Sequence, residues 1–240
     1  MRVVSDTHGR ELLRLVEVMD QLRSPGGCPW DAEQTHESLL EYLLEEAYET
    51  VEAVETADRT ALREELGDVL LQVMFHSRIA EEHPSEPFDI DDVAAGISDK
   101  LIRRHPHVFS SEVLDEAEDL HVRWDKLKAA EKARTSVTDG VPATMPASLL
   151  AMKLMGRASR NGVTRDVPAA EPAVLAAAQA AVDQVRHSSA EASETELFGD
   201  LLIAVIALAA ERGVDAEAEL RRAVRAYRQR LIAAEDAARS

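Results

Sequence analysis

Two clusters of acids offer the most chemistry: Glu45-Glu46-Ala47-Tyr48-Glu49 and Glu65-Leu66-Gly67-Asp68. Apolar residues at helical spacing run through both, Leu40, Leu44, Ala47, Val51 and Val54 in one stripe and Leu62, Leu66, Val69 and Val73 in the next. The spacing predicts helices over roughly residues 38–56 and 60–80, with Thr60 capping the second. The turn at residues 56–60 is short enough to force an antiparallel hairpin. Around a turn centred on residue 57, Glu46 stands opposite Asp68 and Glu49 opposite Glu65. Within each helix the two acids are three apart and share a face. Four carboxylates should therefore converge. Glu45 faces Val69 instead, about 100° round the helix, and is the outlying fifth acid.

Either cluster alone would read as a solvated helix surface. Together they repel, and all four stay ionised only if cations sit among them. An all-oxygen donor set suits Mg²⁺ or Mn²⁺ rather than zinc or copper. Such an ion takes phosphate oxygens as further ligands, so a polyphosphate is the natural substrate, with a metal-activated water as its attacker. The phosphates should also meet cations. Lys100 and Arg104 are one helical turn apart, as are Trp124 and Lys128, where the ring could stack a base and the lysine hold a phosphate.

The elements that must position these groups read as helices throughout. Gly and Pro total only 19 of 240 residues, and no alternating β pattern of useful length appears, so the expected class is all-α. Further helices are expected near residues 11–22, 91–104, 116–133, 148–161, 171–187, 193–212 and 215–238, with Gly162 and Gly213 at C-cap positions. Residues 24–31 (SPGGCPWD) read as a loop. The chain carries 27 Lys+Arg against 45 Asp+Glu, net −18. Residues 1–134 hold 15 bases and 31 acids, and residues 135–240 hold 12 and 14. That shift meets a Pro/Gly/Thr-rich segment, TSVTDGVPATMP, read as a linker at 135–146 between a module at 1–134 and another at 147–240. The acidic balance argues against nucleic acid as main partner. A single cysteine, Cys28, excludes an internal disulfide framework. The N-terminus lacks signal-peptide features and no apolar run is long enough to cross a bilayer, so a cytoplasmic protein without membrane contact is expected.

The segments GGCPWD (26–31), EQTHESLLEYLLEEAYE (33–49), EELGDVLLQV (64–73) and KLIRRHPHVF (100–109) resemble the MazG family, within the all-α nucleoside triphosphate pyrophosphatases. The resemblance is strongest over residues 11–135, and Pro146–Gly162 looks like the opening of a second MazG repeat. It implies a dimeric helical enzyme that hydrolyses nucleoside triphosphates to monophosphate and pyrophosphate with Mg²⁺, a chemistry suited to cleansing the nucleotide pool. It assigns metal binding to Glu46, Glu49, Glu65 and Asp68, with Glu45 in the same cluster. Glu45 and Glu49 are the candidate general bases. It places nucleotide contacts on Lys100, Arg104, Trp124 and Lys128. The competing reading is a non-enzymatic helical regulator that keeps an acidic metal-binding face.

The second half departs from the family pattern. Where EExxE would recur stands Ala180-Ala181-Val182-Asp183-Gln184, and where ExxD would recur, Leu197-Phe198-Gly199-Asp200. The phosphate-site lysine becomes Ala226, although Arg230 remains. One aspartate is too few for a metal, so residues 147–240 are expected to be non-catalytic and to serve packing, dimerisation or shaping of the first module's cleft. Glu33-x-x-His36 and Glu118-x-x-His121 would suit a di-iron bundle, but neither fits the hairpin register.

Overall fold

The structure is a computed structural model that describes residues 9–110, 131, 135–163, 172, 174–176, 178–180, 183 and 191–239. Every regular element among them is helical. The chain divides into two compact units, Met1–Asp115 and Glu116–Ser240.

The first unit opens with α1 (Arg10–Arg23), then α2 (Pro29–Glu33), α3 (Leu40–Glu55), α4 (Arg59–Ala80), α5 (Ile90–Arg104) and α6 (Pro106–Phe109). The expected loop at 24–31 is interrupted: Pro29 stands in the first turn of α2, where its fixed φ and missing N–H suit a helix start. The α4 cap is Asp58, whose carboxylate accepts from the backbone N–H of Thr60 and Ala61, and not Thr60 itself. Asp89 and Asp92 close α5 with a reciprocal capping box at 2.9 and 3.1 Å.

The α3–α4 turn is as tight as the spacing required. Ala57 adopts a left-handed φ of 57°, and the Asp58 N–H reaches back to the Ala53 carbonyl, which ends α3 in a Schellman arrangement. The core of the unit sits away from that turn. Met19, Leu39, Met74 and Phe75 form it, with Leu15, Val16, Leu70 and Ile90 against them. Leu39 and Phe75 are equidistant from residue 57, so their shared cluster fixes the hairpin register.

The apolar stripe that identified α3 is not what the hairpin buries. Leu40, Leu44, Tyr48 and Val54 on α3 are exposed, as is Leu66 on α4. The facing sides of the two helices carry the acids instead.

In the second unit α7 (Ala147–Arg160) packs on α8 (Glu191–Glu211) and α9 (Ala216–Arg239). Met155, Ala204 and Ala207 are buried, the small alanines allowing close helix approach. Arg157 donates to the carbonyls of Val137 and Asp139 and so ties the 135–146 segment to α7. Gly162 and Gly213 both take φ of 67°, and the N–H after each bonds the carbonyl five residues back, as the C-cap reading requires. Within α9, Arg221 pairs with Glu217 and Arg222 with Glu219. No helix among the described residues is long and apolar enough to cross a membrane.

Candidate active site at the helical hairpin

The hairpin brings three of the expected acids together. One carboxylate oxygen each from Glu46, Glu49 and Glu65 lie within 4.8 Å of one another. Asp68 is not in that set of three, but its charge acts on both Glu46 and Glu65. Glu45, exposed, acts on Glu46 as the weakest of the four carboxylate charges. The arrangement follows from local structure: i, i+3 spacing puts Glu46 and Glu49 on one face of α3, and the three-residue turn sets α4 in register against it.

The electrostatics are those of an uncompensated cluster. Partial desolvation lifts Glu46 above the usual carboxylate range, helped by the charges of Asp68, Glu49, Glu65 and Glu45. Glu65 is raised by the same desolvation, then by Glu49, Glu64 and Asp68, and it shares a hydrogen bond with Glu49. Among the described residues, the charges acting on both are carboxylates. The donor set is purely oxygen, half-exposed and strained by like charge, which fits a hard divalent cation.

Lys100 and Arg104 lie on α5, which packs against α4. Lys100 is half-buried, whereas Arg104 is buried at 8% exposure, so Lys100 is the more accessible cation. Trp124 and Lys128 lie outside the described residues, as does His121. His36 meets His76 of α4 rather than an acid.

Several residues of the first unit carried no signal in spacing. Arg23, its side chain 3% exposed, grips Glu82 with two nitrogens at 2.9 and 3.2 Å. It also donates to the carbonyls of Asp31 and Gln34 and stands 5.9 Å over the Phe75 ring. It thereby fastens α2 to the end of α4. Trp30 of α2 meets Tyr42 and Phe75 edge-on, with ring centroids 6.2 and 6.4 Å apart. An arginine that works by bridging carbonyls has no sequence pattern to reveal it.

Antiparallel helices whose facing sides carry converging acids define a helical carboxylate-cluster protein, a class distinct from zinc and Cys/His sites. The family description "MazG nucleotide pyrophosphohydrolase domain" matches residues 34–109, which contain both acid clusters and α5. The chain is 38% identical over 219 residues to a protein of Thermotoga maritima named "Nucleoside triphosphate pyrophosphohydrolase/pyrophosphatase MazG", covering 90% of this chain and 82% of that one. It is 37% identical over 227 residues to a nucleoside triphosphate pyrophosphohydrolase of Escherichia coli K12, covering 91% and 84%. A 26.1 kDa protein of Streptomyces cacaoi, named as uncharacterized, is 45% identical over 231 residues, covering 96% and 85%. The chain belongs to the MazG family.

Proposed function

We propose that this chain is a Mg²⁺-dependent pyrophosphohydrolase that converts nucleoside triphosphates to monophosphates and pyrophosphate, with Mn²⁺ able to substitute. One observation carries the reading: carboxylates of Glu46, Glu49 and Glu65, from two facing helices, converge within 4.8 Å, and among the described residues the charges acting on Glu46 and Glu65 are those of other carboxylates. The relatives' printed names support it. Glu46, Glu49, Glu65 and Asp68 would hold the metal, which when bound would offset the triphosphate's charge and acidify a water. Glu45 or Glu49 would accept the proton of an attacking water as its oxygen bonds to phosphorus and the phosphoanhydride bond breaks, releasing pyrophosphate. Glu45, outside the three-oxygen set and exposed, is free for that role while the others ligate. Lys100 steadies the phosphates, with Arg104 behind it, and Trp124 and Lys128 are assigned to base and phosphate.

A homodimer is the proposed assembly. The exposed stripe of Leu40, Leu44, Tyr48 and Leu66 supports it, because a helix pair showing that many large apolar side chains to solvent is short of a partner. Residues 147–240 are proposed to be a non-catalytic module behind the 135–146 linker, and cytoplasmic cleansing of the nucleotide pool is the proposed setting. The test is pyrophosphate release from a panel of nucleoside triphosphates with and without Mg²⁺. Absence of release with every nucleotide tried would refute the reading.

A further inference from the structure

At the end opposite its turn, the acid-bearing hairpin is closed by a contact between two imidazoles. His36 precedes the buried Leu39 by three residues, and His76 follows the buried Phe75 on α4 by one. Their Nδ1 atoms are 2.8 Å apart, and the rings are within 3° of parallel with centroids 5.1 Å apart. So short a nitrogen contact at so wide a centroid separation is an in-line N–H···N hydrogen bond, not a face-to-face stack. His36 is exposed and His76 half-buried. The Nε2 of His76 is sealed from solvent without a partner.

The proton count across that bond is fixed whichever ring donates. A hydrogen bond needs one N–H and one bare nitrogen, so the two Nδ1 atoms carry a single proton between them. Two neutral rings meet that condition. One added proton also meets it, because the extra N–H goes to an Nε2, and a charged donor strengthens the bond. A second added proton does not. It places an N–H on both Nδ1 atoms, and two hydrogens and two positive charges then face each other across 2.8 Å.

The surroundings do not offset that second charge. Desolvation first, and then the charge of His36, hold His76 below the usual imidazole range, and among the described residues no other charge acts on it. Glu37, held low first by hydrogen bonds to its own backbone and to Thr35, also interacts with His36 and favours the first proton there. The charges of the helices packed on α4 are engaged elsewhere. Arg78 of α4 pairs with Asp20 of α1 and with Glu81 and Glu82, Arg23 of α1 pairs with Glu82, and Asp89, the cap of α5, acts on Glu81.

We propose that the His36–His76 pair is a proton-operated latch, closed while it holds no more than one added proton and opened by a second, which frees the chain ahead of α3 from α4. Arg23 stays charged and keeps the Gln34 carbonyl, so the release begins at residue 35. The Leu39 N–H bonds the Thr35 carbonyl and the Leu40 N–H that of Glu37, so opening exposes these amides. His76 takes a proton less readily folded than unfolded. The latch therefore stabilises the fold above the unfolded imidazole value of about 6.5, and this is lost as pH falls below it.

A double-mutant cycle in the full chain tests this, with His36→Ala, His76→Leu and the two combined, read by denaturant unfolding at about pH 7.5 and about pH 5. The cycle cancels the acid cluster, whose own pH dependence is common to all four proteins. Coupling between the histidines should be worth about three- to tenfold in the folding constant at the higher pH, the value of one neutral hydrogen bond, and vanish at the lower. Protection of the Leu39 and Leu40 amides against hydrogen exchange should fall over the same range in wild type and stay level in His76→Leu. Where a variant does not fold, nitrogen NMR of the wild-type imidazoles decides, with two separated titration steps expected and the loss of protection at the second. Coupling that is equal at both pH values would overturn the latch, as would none at the higher pH or two rings that titrate independently.

Discussion

Glu46 and Glu65 hold protons more tightly in the folded chain than an ordinary glutamate would. A carboxyl raised by folding contributes stability that is fully present below the unfolded pKa, near 4.3, and is lost as pH rises through the folded value. The metal-free protein should therefore melt higher as pH is lowered from neutral toward the top of the carboxylate range. Saturating Mg²⁺ should flatten that dependence, and thermal melts with and without metal will show it. Glu82 has the opposite sign: its hydrogen bond to Arg23 lowers it against opposing desolvation, so its contribution is present above the unfolded pKa and lost in stronger acid. The same repulsion gives substitutions a divided outcome. Glu49→Gln, which removes a ligand or base, should cut kcat about 100-fold or more. Glu46→Gln should also lose turnover, yet melt above wild type without metal because a repelling charge is gone. If Glu46→Gln melts lower in metal-free buffer, the cluster is not strained as described.

At the scale of elements, the hairpin turn and the Arg23 tie decide how well the acids are held in place. Ala57 sits at a left-handed φ that costs a Cβ-bearing residue about 1–2 kcal/mol. Ala57→Gly should raise stability by about 0.5–1 kcal/mol in denaturant unfolding, with kcat unaltered because the register is kept. Arg23→Ala should cost about 2–4 kcal/mol, since it strips the carbonyls of Asp31 and Gln34 of a donor and takes from Glu82 one of the two arginines paired with it. Much of this level was legible beforehand. Helical spacing located α1, α3, α4, α5, α7, α8 and α9 to within about two residues, because 3.6-residue periodicity is a local property. The α4 cap was misplaced from Asp58 to Thr60, both of which are good cap residues; which one the helix uses depends on where the Schellman turn of α3 releases the chain.

At the scale of the whole molecule, the proposed division of labour is testable. A full-length Glu46→Ala protein should retain no measurable pyrophosphate release, because Asp200 and Asp183 are too few for a metal and Asp183 already accepts from Gln179 at 2.9 Å. Residual activity would mean that residues 147–240 are not inert. Light scattering should give twice the monomer mass, and Leu44→Glu in the exposed stripe should return it to 26.4 kDa.

The sequence by itself determined the helical class, the two acid clusters, their register about residue 57 and the family they mark, since periodicity and turn length are written in neighbouring residues. Tertiary structure alone decided which three carboxylates meet, that Arg104 is buried, and that the apolar stripe of α3 faces outward. It alone joined His36 to His76, and Arg23 to the carbonyls of Asp31 and Gln34. Those contacts depend on how helices rotate and approach in space, and residues tens of positions apart leave no trace of it in their spacing.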